Sequence, residues 1–237
     1  MKVSVVVPAF NEERLLAGSL AAIREAMTVL PEAELIVCDN NSTDRTAEIA
    51  RAAGAAVVFE PVNQIARARN RGAAAATGDW LVFVDADSYP SRALFADVLE
   101  TIRAGTCVAG GATIAFDTRD PYVRFWIAFW NGLSRAARWM AGSFVFCEAA
   151  AFRAAGGFNE ELFAAEEIDL SKRLKRLARR QGKRIVILDR HPLHTSDRKV
   201  RLYTKGEHFV FMLKTLLLAG RNLRDRDSCY AWYDGRR

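Results

Sequence analysis

No apolar run in this sequence approaches the ~20 residues that a membrane-spanning helix requires. The longest, HFVFMLKTLLLAG at 208–220, is short and broken by Lys214. The amino terminus enters the strand-like run KVSVVV almost at once, with no space for the charged region, apolar core and cleavage site of a secretory signal, so the expected compartment is the cytoplasm. Cysteine is sparse: Cys38, Cys107, Cys147 and Cys229 lie far apart without a CxxC pair, and the first three sit in apolar contexts. Buried free thiols account for them better than zinc or disulfides. No internal repeat or low-complexity linker is visible. Net charge is also missing where a nucleic-acid channel would need it. The formal charge of +6 resides in residues 198–237, which carry ten Lys or Arg against four Asp or Glu, and the first 197 residues are neutral. That basic segment suits an anionic membrane surface, or simply solubility, and no nucleic-acid partner is expected.

What is present is the composition of a soluble globular chain: 51% hydrophobic and 26% charged among 237 residues, enough for a substantial core. The reading is one domain, with residues 1–105, 106–197 and 198–237 as its three parts. The first part alternates strand and helix signals. VSVVV (3–7) precedes a helix opened by Asn11 with Leu16, Leu20, Ile23, Met27 and Leu30 at helical spacing. ELIVC (34–38) precedes a helix at 43–53 that stops at Gly54, and AAVVF (55–59) an Arg- and Ala-rich helix at 65–76. WLVFV (80–84) is followed by a helix capped by Ser91 with Leu94, Val98 and Ile102 inward. Such repetition implies α/β architecture with a parallel sheet and right-handed crossovers.

Beyond residue 105 the rhythm breaks. VAGGATIAF (108–116) and SFVF (143–146) read as strands on either side of an amphipathic helix at 122–141. Trp126, Phe129, Trp130, Leu133, Ala137 and Met140 share one face of it, and Arg124, Asn131, Arg135 and Arg138 the other. Core packing beneath an acceptor is its expected role; contact with a membrane interface is the alternative. A helix at 166–181 begins with acids and ends with bases, as the macrodipole favours, and IVIL (185–188) is the last clear strand.

Aspartates follow two of the strand-like runs: Asp39 after LIVC, and Asp85 with Asp87 after WLVFV. In a parallel sheet they gather along the carboxyl edge, where α/β folds bind ligands. Two carboxylates one residue apart can serve a divalent cation whose shell is completed by diphosphate oxygens and water. In isolation such a pair caps a turn about as often as it binds metal.

The segments VSVVVPAFNEE (3–13), ELIVCDNNSTD (34–44), ARARNRGAAAATGDWLVFVDADS (66–88) and AAGGFNEELFAAEEIDLSKRL (154–174) together resemble family 2 glycosyltransferases over residues 1 to about 195. The resemblance implies a GT-A fold, a mainly parallel Rossmann-like sheet flanked by helices with a smaller mixed region on the acceptor side. It also implies inverting transfer of a sugar from a nucleotide donor, UDP-linked rather than GDP-linked, to a saccharide or polyprenyl-lipid acceptor. Pro8, Ala9, Phe10 and Glu12 would line the nucleoside pocket and Asp39 would accept from the base. The family usually has two aspartates and a glycine here, where this chain has Asp39, Asn40 and Asn41. Arg69 would approach the phosphates, its alternative being an exposed helix charge, while Asp85 faces ribose or sugar and Asp87 holds Mn²⁺ or Mg²⁺. Glu167 matches the general base, with Glu166 and Asp169 beside it. His194 is a further candidate metal ligand, with His191 as its competitor, and Ser143 after Gly142 would approach donor or acceptor. Two other classes compete. A haloacid-dehalogenase-like phosphatase also places an aspartate pair after a strand, although on its first strand. A catalytically degenerate nucleotide-sugar-binding scaffold would keep the fold without turnover.

Overall fold

The computed structural model describes residues 1–198, 202, 206–207, 210, 214, 218 and 220–233. Most of the 208–220 run lies outside them. β1 (Val3–Ala9), β2 (Ala33–Asp39), β3 (Ala56–Phe59) and β4 (Trp80–Val84) alternate with α1 (Leu16–Met27), α2 (Thr46–Ala52) and α3 (Ile65–Ala75). β1 pairs parallel with both β2 and β4, and β2 with β3, giving the expected parallel half. After β4 come β5 (Ser88–Tyr89), α4 (Arg92–Arg103), β6 (Cys107–Ala115), α5 (Pro121–Ala137), β7 (Phe144–Glu148), α6 (Ala149–Ala154), α7 (Glu166–Arg180) and β8 (Arg184–Thr195). The eight strands lie in the order β3-β2-β1-β4-β7-β6-β8-β5. β7 runs antiparallel to both β4 and β6, so the break in rhythm is a change of strand direction.

Helices cover both faces. Leu16, Leu20 and Ile23 of α1 pack with Leu94, Val98 and Ile102 of α4 on one side, while Ala66 and Ala73 of α3 join Phe152, Leu170 and Leu174 on the other. Burying each Leu, Ile or Phe contributes ~1.5–3 kcal/mol. α3 approaches β1 closely because Gly72 has no side chain: a Cβ there would lie 2.3 Å from Val6 Cγ1. Among the described residues no helix is long and apolar enough to cross a membrane.

Several boundaries differ from expectation. Asn11 does not open α1; it has φ of 51° in a turn, and the helix starts five residues later. α2 begins at Thr46 because Asp44 Oδ1 accepts from Thr46 N at 2.9 Å and holds residues 43–45 out of the helix. The last strand continues past IVIL to Thr195, which takes His191 and His194 into the sheet.

The largest difference concerns α5. Its buried positions are Val123 and Ser134, and Phe125 and Phe129 are 63% and 54% exposed. Of the expected stripe, Trp126, Trp130, Leu133 and Ala137 are half-buried, Met140 is buried beyond the helix end and Phe129 is exposed, so the packing face is shifted from the stripe and the core role expected of it is met in part. Asn131, assigned to the outer face by periodicity, turns toward the sheet, accepting from Ile114 N at 3.0 Å and donating to Ile114 O at 2.9 Å. The β6–β8 register shifts between Ala112 and Ile114, and the carboxamide satisfies backbone groups at that irregularity.

Candidate active site

The site grows from the carboxyl ends of β1, β2 and β4. Pro8 and Ala9 remain in β1, and Phe10 begins the turn after it. This turn is laced to the β2–α2 turn: Asn11 Oδ1 accepts from Thr43 N at 2.8 Å, and Glu12 N donates to Thr46 Oγ1 at 2.7 Å. Asp39, 7% exposed, sits beside Ala9 in the ladder, and one of its oxygens accepts from Ser42 N at 3.1 Å.

The two asparagines that replace the family's Asp-Gly have structural reasons. Asn40 Nδ2 donates to Glu60 O at 3.2 Å and Val62 O at 2.6 Å, while its Oδ1 accepts from Gln64 N at 2.9 Å. An aspartate could not donate. Asn41 has φ of 67°, a conformation that asparagine tolerates better than most side chains. Asn40→Asp is expected to destabilise the fold by about 2–3 kcal/mol, because a buried carboxylate would face two carbonyls. Thermal unfolding against wild type measures this, and an unchanged melting temperature would show that the clamp is dispensable.

Arg69 is neither an exposed helix charge nor an open phosphate ligand. It is 1% exposed; its Nη2 donates to Asp85 Oδ1 at 2.8 Å and Gly142 O at 2.7 Å, and its Nη1 pairs with Glu166. The guanidinium lies 5.2 Å from the ring centre of Phe158, which packs edge-on to Phe83 of β4. Asn70, the next residue, clasps Phe158 through both backbone groups, accepting and donating at 2.9 Å. The ARNRG segment thus fastens the AAGGF loop beneath the site and ties the end of β4 to the start of α7. Asp85 N also donates to Ser143 O at 3.2 Å.

Glu167 lies in this knot. A Cβ on Gly142 would come 3.4 Å from its carboxyl carbon and 3.5 Å from Arg69 Nη2. Burial, then the neighbouring Glu166, push its proton affinity well above the ordinary carboxylate range, against the opposing pull of Arg69. The residue as a whole is half-buried. Asp169 is not part of the cluster: it pairs with Arg173 one helical turn on, at 2.7 Å.

Asp87 and Glu12 form the second acidic element, 8% and 9% exposed. Arg198 donates to both Glu12 oxygens, at 3.0 and 2.6 Å, and lies 3.6 Å from Asp87 Oδ2. The end of β8 brings it there, since Ser196 N donates to Asp87 O at 3.0 Å. Glu12 therefore faces a cation, where it was expected to line a nucleoside pocket. Sequence reasoning missed Arg198 as a site residue; its only signal was proximity to the HPLHTSD stretch. His191 is taken up by Asp97 of α4, with 2.9 Å between Nδ1 and Oδ2. His194 is exposed opposite Tyr89, and among the described residues no three His, Cys, Asp or Glu side chains converge as a metal cage. All four cysteines are buried free thiols, as expected, and burial raises the thiol pKa of each.

Part of the basic carboxyl-terminal segment belongs to the fold. Phe163 N donates to Leu223 O at 2.7 Å, and Ile65 N donates to the Tyr233 hydroxyl at 3.3 Å. Residues 220–233 thus close over the loop that leads into α7.

Residues 4–156 match the model of glycosyl transferase family 2. An uncharacterized glycosyltransferase of Mycobacterium tuberculosis is 44% identical over 85 residues, 36% of this chain and 36% of that protein. The dolichol-phosphate mannosyltransferase of Pyrococcus furiosus is 32% identical over 120 residues, 47% of this chain and 33% of that protein. Each match spans only about a third of the relative's length. Among solved structures, a mannosyltransferase from Pyrobaculum calidifontis in complex with GDP-Man and Mn²⁺ superposes with a TM-score of 0.69 at 20% identity, covering 94% of this chain and 62% of that one. Glucosyl-3-phosphoglycerate synthase from Mycobacterium tuberculosis, in complex with Mn²⁺, UDP-glucose and phosphoglyceric acid, gives 0.63 at 20% identity, covering 94% and 79%. The fold is that of GT-A glycosyltransferases. The chain belongs to glycosyl transferase family 2, which sets aside the phosphatase alternative.

Proposed function

We propose that this chain catalyses inverting, divalent-cation-dependent transfer of a sugar from a nucleotide diphosphate, UDP-linked rather than GDP-linked. The acceptor is a hydroxyl of a saccharide, as in cell-envelope polysaccharide, or a polyprenyl lipid. One observation carries the reading: a positive guanidinium already sits between Glu12 and Asp87 at the sheet edge where Asp85 adjoins the proton-avid Glu167. The acids fit a cation, since they enclose one now, and carboxylate oxygens suit Mg²⁺ and Mn²⁺.

Asp87 would hold the metal, with Asp85 and His194 as the further candidates. Bound there, the cation supplies Lewis-acid neutralisation of the departing diphosphate. Arg198 would exchange its two carboxylates for diphosphate oxygens, which its planar fork fits equally well. Asp39 offers a carboxylate to the base beside Pro8, Ala9 and Phe10. Arg69 fixes Asp85 and Glu166 and leaves Glu167 as the carboxylate that accepts the acceptor's proton. Ser143 holds the Asp85 backbone through its carbonyl. We place the enzyme at the cytoplasmic face of the membrane.

Calorimetric titration of UDP and GDP, with and without Mn²⁺, tests the donor site. Wild type is expected to bind UDP in a Mn²⁺-dependent manner, and Asp87→Ala to weaken that binding at least about tenfold, the loss of one charge-assisted ligand. Absence of binding by either nucleotide under every metal condition would favour a degenerate scaffold.

A further inference from the structure

About 18 Å along α7 from Glu167, at the helix's other end, lies a second concentration of charge. A cleft of about 280 Å³ is lined by Arg138, Lys175, Arg179, Lys183 and Arg184, with Ala136 at its margin. Lys183 pairs with Glu148. Among the described residues no carboxylate pairs with the other four. Lys175 is half-buried and donates to Ala137 O, the last carbonyl of α5. Burial first, and then the nearby Arg138, Arg179 and Lys172, lower its proton affinity. Arg138 occupies the left-handed region, with φ of 49°, in a conformation that glycine ordinarily supplies at a helix end.

The cleft does not stand alone. Phe125, Phe129, Gly132 and Ala136 recur at the spacing of one α5 stripe, all four are exposed, and the stripe ends at the cleft. A Cβ on Gly132 would meet nothing within 4 Å, so this surface is open. Both phenylalanines stand edge-on to Trp126, with ring centres 5.6 and 5.7 Å away, which holds them in place.

We propose that this face docks on an anionic lipid bilayer, with a headgroup phosphate in the basic cleft and Phe125 and Phe129 at the acyl boundary. A soluble anion would fill the cleft and leave the aromatic rings unexplained. A second copy of the chain, related by a two-fold axis, would bring one unneutralised cation cluster toward another. A bilayer satisfies both features at once, because rings prefer its interface and each Lys or Arg near an anionic surface adds attraction. The inference does not depend on the transfer chemistry.

Co-sedimentation of the full chain with phosphatidylcholine vesicles, with and without phosphatidylglycerol, tests it. Wild type is expected to pellet only with the anionic vesicles and to be released by salt. Arg179→Glu/Arg184→Glu should weaken binding at least about tenfold, and Phe125→Ser/Phe129→Ser about three- to tenfold. Brominated lipid should quench the tryptophan fluorescence of wild type and quench that of Trp126→Phe less, a readout that needs no charge variant to fold. UDP binding should be the same in these variants as in wild type, so a failed donor site and a failed membrane face are told apart. Equal binding to neutral vesicles, or no pelleting, would overturn the proposal. So would wild-type self-association abolished by the phenylalanine pair, which would assign the face to a second copy.

Discussion

Glu167→Gln is expected to lower the transfer rate by about 10²–10⁴-fold while leaving the donor dissociation constant within about twofold. Glutamine keeps the shape beside Gly142 but cannot take the acceptor's proton. The pH dependence carries an independent signature. The carboxyl is raised to about 8 from an ordinary 4.5, and a base acts when deprotonated, so wild-type kcat/KM should rise with pH through a midpoint near about 8. The variant's residual activity should lack that limb. Stability should move in the opposite sense. Because the folded-state value lies above the unfolded one, the stability that the protonated carboxyl contributes is fully present below about 4.5 and is lost as pH rises through about 8. Glu167→Gln should therefore gain melting temperature relative to wild type as pH rises from about 5 to 9. A variant that loses donor binding and transfer in parallel would refute the general-base role.

Arg69→Met is expected to have the largest effect on stability. It would leave Asp85 and Glu166, whose side chains are 19% and 5% exposed, without their shared cation. Removing one partner of a buried charge network costs about 3–5 kcal/mol, which for a chain of this size lowers the melting temperature by about 6–20 °C. Arg69→Lys should recover little, because an ammonium cannot reach Asp85, Glu166 and the Gly142 carbonyl in one plane. The double variant Arg69→Met/Glu166→Gln should recover part of the loss, since one stranded charge is gone. A single Arg69→Met variant as stable as wild type would show that the knot positions residues without holding the fold.

Legibility in the sequence followed the range of the interaction. Runs such as VSVVV and WLVFV mark buried parallel strands because apolar continuity is a local property, and the Ser91 cap was readable for the same reason: Leu94 N donates to its side chain at 3.1 Å. β5 has two residues and no periodicity to detect; it exists because β8 pairs with it. The helix at α5 was visible, its facing was not. Asn131 turns inward beside half-buried Trp130 because both backbone groups of Ile114, on a strand distant in sequence, bond to its carboxamide.

The sequence by itself determined the βα alternation, the carboxylates at the strand ends, the buried thiols and the family, because those are properties of residues close together in the chain. Only the tertiary structure decided what the charges do. It buried Arg69 between Asp85 and Glu166, carried Arg198 across 186 residues of sequence to Glu12, turned Asp169 aside to Arg173, and set around one cleft four cations that have no carboxylate partner among the described residues. A charge acts through its surroundings, and Coulomb attraction and desolvation depend on distances that the order of residues does not contain.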